Sequence, residues 1–233
     1  MSFESWHDFY DSAWQQPWAL LVAPFAFLVW RGIAAPPGVG TRPEAKRSVV
    51  AWSYFFALES MLDPIATGPI AQAIGTPAAS TVLGLTFVLL GDFRIWWLVF
   101  RLDGRARALP RALAATVGVP IAAWLASSAL RLLLGALPDQ ALYGIHESLF
   151  VGLAFVIARR MPGRLERALL AFAGVYYALW AGADVLILSG VDAGWLLRCV
   201  PNQLYYGLTV PFVWWRFFAP SYATPPSSTQ ASR

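Results

Sequence analysis

Residues 80–100 read STVLGLTFVLLGDFRIWWLVF, and this stretch decides the fold. Coiled as a helix at about 1.5 Å per residue, it is long enough to cross the ~30 Å hydrocarbon core of a bilayer. Asp92 and Arg94 are the only charged residues in it. An ionisable group in hydrocarbon costs roughly 2.5 to 3.5 kcal/mol on insertion scales, so it is turned inward onto a partner, a wet cavity or a substrate. One stretch therefore supplies both a scaffold element and the first candidates for function.

Working outward, six more apolar runs of similar length appear, at roughly 17–33, 49–66, 112–136, 141–159, 168–189 and 194–218. The expected fold is all-α: a polytopic membrane protein built as a seven-transmembrane-helix bundle. Composition agrees, with 58% hydrophobic and only 13% charged residues and a mean hydropathy of +0.55, values outside the range of soluble domains. Residues 1–16 read as an extracytoplasmic segment and 17–218 as one membrane domain. Residues 219–233, APSYATPPSSTQASR, are rich in Pro, Ser and Thr and read as a disordered cytoplasmic tail. Acidic residues Glu4, Asp8 and Asp11 precede the first run where a signal peptide would carry positive charge, so that run reads as a retained helix.

Orientation follows from the basic residues. Of the 17 Lys and Arg residues, all but Arg94, Arg131 and Arg198 fall on one side of the expected bundle. By the positive-inside rule that side is cytoplasmic, which puts the N-terminus out and the C-terminus in, across the cell inner (plasma) membrane. Tryptophans fall near both boundaries, Trp96, Trp97, Trp214 and Trp215 at the inner one and Trp14, Trp18 and Trp195 at the outer one.

With topology assumed, depth follows from the rise per residue. Glu59 and Asp92 lie near the midplane. Asp63, Arg131, His146, Glu147, Asp184, Arg198, Asn202 and Gln203 fall in the outer half, contributed by five different spans, and a polar cavity opening outward is the simplest inference. Glu59 and Asp63 stand i, i+4 on one helical face. Two carboxylates that close do not both ionise comfortably, so the pair reads either as a general acid with its neighbour or as a strut bridged by Arg131 or Arg198. Asp92 and Arg94 are i, i+2 and point to opposite sides. Arg94 is then expected to snorkel toward the cytoplasm on the stripe of Arg101, with Glu59 as the expected partner of Asp92.

Glu59, Asp63 and Asp92 are thus the candidate catalytic groups. Arg131, His146, Glu147, Asp184, Arg198, Asn202, Gln203 and Tyr205 are the candidate substrate-binding groups. Bland readings stand beside these. Glu147 and Asp184 lie close enough to the outer helix ends to be interfacial, Arg131 and Arg198 are counter-ions before they are catalysts, and His146 reads first as a hydrogen-bonded packing residue. Asn202 and Gln203 follow Pro201 and can bond a backbone that proline loosens. Tyr176, Tyr177, Trp180, Tyr205 and Tyr206 read as bundle filling or as the lining of a lipophilic pocket.

Several classes are excluded. Retinal needs a lysine in the last helix for its Schiff base, and the one lysine, Lys46, lies between runs. No Asp-Arg-Tyr-like triplet stands at the inner end of the third run, where Trp96-Trp97-Leu98-Val99-Phe100-Arg101 is found, so a G-protein-coupled receptor is unsupported. A single cysteine, Cys199, forbids an intrachain disulfide, and two histidines, His7 and His146, argue against a metal centre. No soluble cofactor is expected, since no glycine run has the strand-to-helix context of a phosphate loop. The net charge of +4 is spent on topology, and no nucleic-acid partner follows. The expected partners are the lipid bilayer and a lipophilic small molecule.

Ala57-Leu58-Glu59, Leu89-Leu90-Gly91-Asp92 and the basic loop Arg159-Arg160-Met161-Pro162-Gly163-Arg164 together resemble the small seven-helix integral-membrane terpene (meroterpenoid) cyclases. Phe55 and Leu58 stand where that family has Asn and Trp, and no acid follows Asp192 where the family has a late carboxylate. The resemblance implies acid-base chemistry on a lipophilic substrate, with Glu59 and Asp92 as its groups. Three function classes follow: an isomerase, cyclase or hydrolase on such a substrate, a proton- or cation-coupled transporter of small solutes, and a non-catalytic subunit with structural ion pairs.

Overall fold

The computed structural model describes residues 4–12, 14–33, 43–104 and 107–218. Among them every regular element is helical. A short α1 (Trp6–Tyr10) opens with a capping box between Ser5 and Asp8 and is held by an acid from far along the chain. Asp192 accepts from the backbone N–H groups of Trp6 (2.7 Å) and His7 (3.4 Å), where the positive end of the helix favours a carboxylate. A wide π turn, Trp14–Ala19, built around Pro17, then leads into α2 (Leu20–Ile33).

The long rods follow. Pro43–Ile65 forms α3, a π turn at Ala66–Ile70 carries Pro69, and α4 (Ala71–Ile74) stops at Gly75, whose φ of 69° is the left-handed conformation that favours glycine. Thr76 caps α5 (Pro77–Leu102), with proline at its first position where the missing N–H costs nothing. The bundle continues with α6 (Ala108–Leu134), α7 (Asp139–Ala158) and α8 (Arg164–Leu188). The last stretch is divided: α9 (Ala193–Asn202), a π turn at Gln203–Leu208, and α10 (Thr209–Phe218). Residues 219–233, expected to be a disordered tail, lie outside the described residues.

Four helices, α5, α6, α7 and α8, are long and apolar enough to cross a membrane, and Pro17–Gly32 is a shorter apolar helix. The other two expected spans differ for physical reasons. Helix α3 carries Glu44, Lys46, Arg47, Glu59 and Asp63, and α9–α10 is split by Pro201 and a π turn.

Successive helices pack side by side, α2 on α3, α5 on α6, α6 on α7, α7 on α8 and α8 on α9, while α10 returns against α3 and α8, and α5 reaches across to α8. The core is dense with aromatics: Trp52, Trp96, Phe150, Tyr176 and Phe217 are fully buried. Its position is uneven along the rods. Helix α5 has no buried residue before Gly91 but is buried on nearly every side from there to Phe100. At Asp92 and Arg94, therefore, both faces of α5 look into protein.

Candidate functional site

Arg94 is wholly buried, and the sequence-based expectation that it snorkels is overturned. Its Nη1 donates to Ser60 Oγ at 2.9 Å and lies 3.5 Å from Glu59 Oε2, while Nη2 donates to the Tyr205 carbonyl at 2.7 Å. The guanidinium also sits 3.8 Å from the centre of the Tyr205 ring, a cation–π contact. Because α5 is surrounded at this level, the long side chain finds a carboxylate sooner than water. The backbone carbonyl of Arg94 accepts from Trp52 Nε1 at 3.0 Å, which locks α3 and α5 at the same height.

The carbonyl of Tyr205 is available because of local sequence. Pro201 lacks an N–H, and the chain after it widens into the Gln203–Leu208 π turn. Such turns free carbonyls for side-chain donors and concentrate at functional sites. The same widening lets Thr209 Oγ1 bond the Leu204 carbonyl at 3.0 Å.

Asp92 does not pair with Glu59, a second correction. Its side chain points the opposite way from Arg94, toward α7 and α8, where Oδ2 is 3.1 Å from His146 Nε2 and Oδ1 accepts from the Tyr177 hydroxyl. Asp92 is fully buried, whereas His146 keeps 9% exposure. The His146 and Tyr177 rings meet edge to face at 6.0 Å, and Phe150 stacks on Tyr177 at 3.8 Å. Glu59 and Asp63 do share a face of α3. Asp63 accepts from Thr67 Oγ1 at 3.3 Å.

A second polar cluster joins α7, α8 and α9. Arg198 donates to Asp184, which is itself fully buried, and Glu147 is buried on the neighbouring α7. The Arg198 guanidinium sits 5.9 Å from the centre of the Tyr10 ring, the Tyr10 hydroxyl accepts from Asn202 Nδ2 at 3.3 Å, and Asn202 Oδ1 accepts from Trp180 Nε1 at 2.9 Å. Gln203 donates to the Ala19 carbonyl at 3.4 Å. Asn202 and Gln203 thus tie the divided last stretch to α8, α1 and the start of α2. His146 and Glu147 are chain neighbours on α7, so the two clusters meet there.

Arg131 does not join either cluster, a third correction. The buried stripe of α6 runs Ala112, Thr116, Val119, Ala123, Ser127 and ends there. Beyond it the helix stands clear of the bundle: Arg131 is exposed and Leu132 is 89% exposed. The expected outward-opening cavity is closed at the carboxylates, since Glu59 and Asp63 are each 4% exposed; the Tyr176, Trp180, Tyr205 and Tyr206 rings form a contiguous aromatic cluster.

Sequence reasoning missed Ser60, Tyr10 and Tyr177 as partners. A usable signal was present for Tyr177. Tyr177 buries a phenol inside an apolar run, and a buried hydroxyl seeks a partner, here Asp92. Among the described residues, no group of three or more His, Cys, Asp or Glu is placed to hold a metal ion. Comparison with family models, with curated proteins and with solved structures gives no match to this chain.

Chemically, Asp92 orients His146 and offsets the charge the imidazole acquires on protonation, with Tyr177 as a further donor to the carboxylate. Arg94 stands on the opposite face of the same helix as a fixed cation paired with Glu59. The arrangement can give and take a proton at His146 without leaving a bare charge in the core.

Proposed function

We propose that this chain is a seven-span inner-membrane protein, N-terminus out and C-terminus in, that carries out acid-base chemistry on a lipophilic substrate. Isomerisation, cyclisation and hydrolysis are the reaction types that fit. The observation that carries the reading is the Asp92–His146–Tyr177 unit, a carboxylate-oriented imidazole at the edge of a buried charge network. His146 is the proton-transfer group and Asp92 its positioning residue. Glu59 and Arg94 set the field behind them, and Asp63 completes the α3 carboxylate pair. The partly exposed edge of His146 is where a hydrophobic guest would meet the imidazole.

The test is direct. Wild type, His146→Gln and Asp92→Asn are purified in detergent, incubated with a total lipid extract, and both retained and converted species are followed by mass spectrometry. The reading requires a lipophile that wild type converts and that equally folded variants retain but convert 10²- to 10⁴-fold more slowly, the usual contribution of a general acid or base. Folded variants that match wild type in every conversion would sink it, and a wild type that neither retains nor converts anything favours the structural-subunit class.

A second reading, proton-coupled transport, is favoured by one observation: the Arg198–Asp184 and His146–Asp92 pairs both border α7, where Glu147 and His146 are neighbours, with the Arg94–Glu59 pair on the opposite face of α5. Proteoliposomes holding a pH-sensitive dye would acidify or alkalinise on solute addition only under that reading. The crossing number and orientation are tested separately. A C-terminal fluorescent fusion should glow and a C-terminal alkaline phosphatase fusion should be inactive. Single cysteines placed in each connection of a Cys199→Ser background should alternate in labelling by an impermeant maleimide.

A further inference from the structure

On the outside of the bundle, away from both polar clusters, α8 and α10 pack together and leave a shallow groove of about 370 Å³ between them. Its floor is made by Ala168 and Ala171, whose small side chains leave the space. One flank is the Phe172–Phe212 pair, stacked at 4.4 Å with a 12° interplanar angle, and Val175 lines the far end. The apolar floor from Ala168 to Val175 runs about 10 Å.

The two helices run antiparallel, since Gly194 meets Ala183 and Ile187, Asn202 meets Trp180, and Phe212 meets Phe172. That stack therefore fixes the register of charge. Counting about 1.5 Å per residue from it, Arg216 lies about 6 Å along α10 and Arg164 about 12 Å along α8, both toward the same mouth of the groove. Arg164, Ala168, Ala171 and Val175 recur at i, i+4, i+7 and i+11, on one helical face. The Arg216 guanidinium sits 5.7 Å from the exposed Trp215 ring. Among the described residues neither arginine has an acidic partner. Arg167, by contrast, is engaged with the Met161 carbonyl at 3.0 Å.

We infer that this groove binds one anionic phospholipid, with an acyl chain along Ala168, Ala171 and Val175 and the phosphate held between Arg216 and Arg164. An apolar floor ending in two cations without carboxylate partners is complementary to a lipid whose headgroup is negative. It offers a zwitterionic lipid, whose headgroup adds a cation, less. The site is separate from the acid-base unit and its readout does not involve conversion of any substrate.

The experiment is native mass spectrometry of the full chain released from detergent, titrated with phosphatidylglycerol or phosphatidylcholine of matched chains, with glycerol phosphate as a headgroup-only competitor. Wild type should take up the first phosphatidylglycerol at least tenfold more tightly than phosphatidylcholine. Arg216→Gln and Arg164→Gln should each weaken it about fivefold, the effect of one basic residue on an anionic lipid. Ala171→Phe, a substitution at an exposed position that fills the groove, should remove the preference while the melting temperature holds. Arg111→Gln, an exposed arginine at the start of α6, should change nothing. Equal uptake of both lipids would overturn the inference. So would an Arg111→Gln loss as large as that of Arg216→Gln, which would mean a diffuse basic surface, or competition by glycerol phosphate at concentrations comparable to the lipid, which would leave the groove without a role.

Discussion

Removing the charge of Arg94 tests whether the buried network is held by the ion pair or by its hydrogen bonds. In Arg94→Gln the guanidinium is lost from a wholly buried position. Ser60 and the Tyr205 carbonyl lose donors at 2.9 and 2.7 Å, and Glu59, 4% exposed, loses the cation 3.5 Å away. Breaking one side of a buried pair costs about 3 to 5 kcal/mol. For a chain of this size each kcal/mol lowers the melting temperature by about 2 to 4 °C, so a fall of roughly 6 to 20 °C is expected. The second variant, Arg94→Gln with Glu59→Gln, removes the stranded carboxylate and should regain about 2 kcal/mol relative to the sum of the single changes. Intrinsic fluorescence during heating is a sensitive assay in a chain with 12 tryptophans. A double variant whose loss equals the sum of the two single losses would refute the ion-pair account. It would leave the shorter bonds to Ser60 and Tyr205 as the real anchor, and Ser60→Ala would then have to reproduce much of the loss.

Three further outcomes follow from the packing. A Cβ at Gly91 would run into the Tyr205 hydroxyl and ring carbon Cζ, so Gly91→Ala should cost about 1 to 3 kcal/mol by overpacking despite its better helix propensity, and adding Tyr205→Phe should recover part of it in the same melts. Arg198→Gln strands the fully buried Asp184 and should cost about 3 to 5 kcal/mol, whereas Arg131→Gln, exposed at the far end of α6, should stay within about 0.5 kcal/mol; similar losses for both would mean that Arg131 has a partner after all. Asp192→Ala removes the acceptor for the first N–H groups of α1 and should cost about 0.5 to 2 kcal/mol locally, seen as faster amide exchange over Trp6–Tyr10 with the exchange of α7 and α8 unchanged.

The helical rods were legible because lipid-length apolar runs have few alternatives: a chain that hides its backbone within each segment must coil there. The run at 80–100 became Pro77–Leu102 and that at 141–159 became Asp139–Ala158. Level along the rods was legible only in part: Glu59, read at the height of Asp92, does meet Arg94 two residues further along α5, but Asp92 itself meets His146, which was read farther out. Azimuth was not legible. Helical spacing placed Asp92 and Arg94 on opposite faces, but which face meets α3 and which meets α7 and α8 is decided by how the rods pack, and no periodicity in α5 records it. That helix is buried on almost every side beyond Gly91 and on none before it, so its average pattern describes neither half. Arg131 was misplaced by the same blindness: its depth matched the cluster, while α6 had already left the bundle one turn earlier at Ser127. Where the order of partners is set by azimuth, the remaining signal lies in side chains that are costly to bury alone. Tyr177 on Asp92 is such a case, and there a tyrosine within a facing apolar run was a better guide to the acid's partner than the nearest opposite charge along the chain.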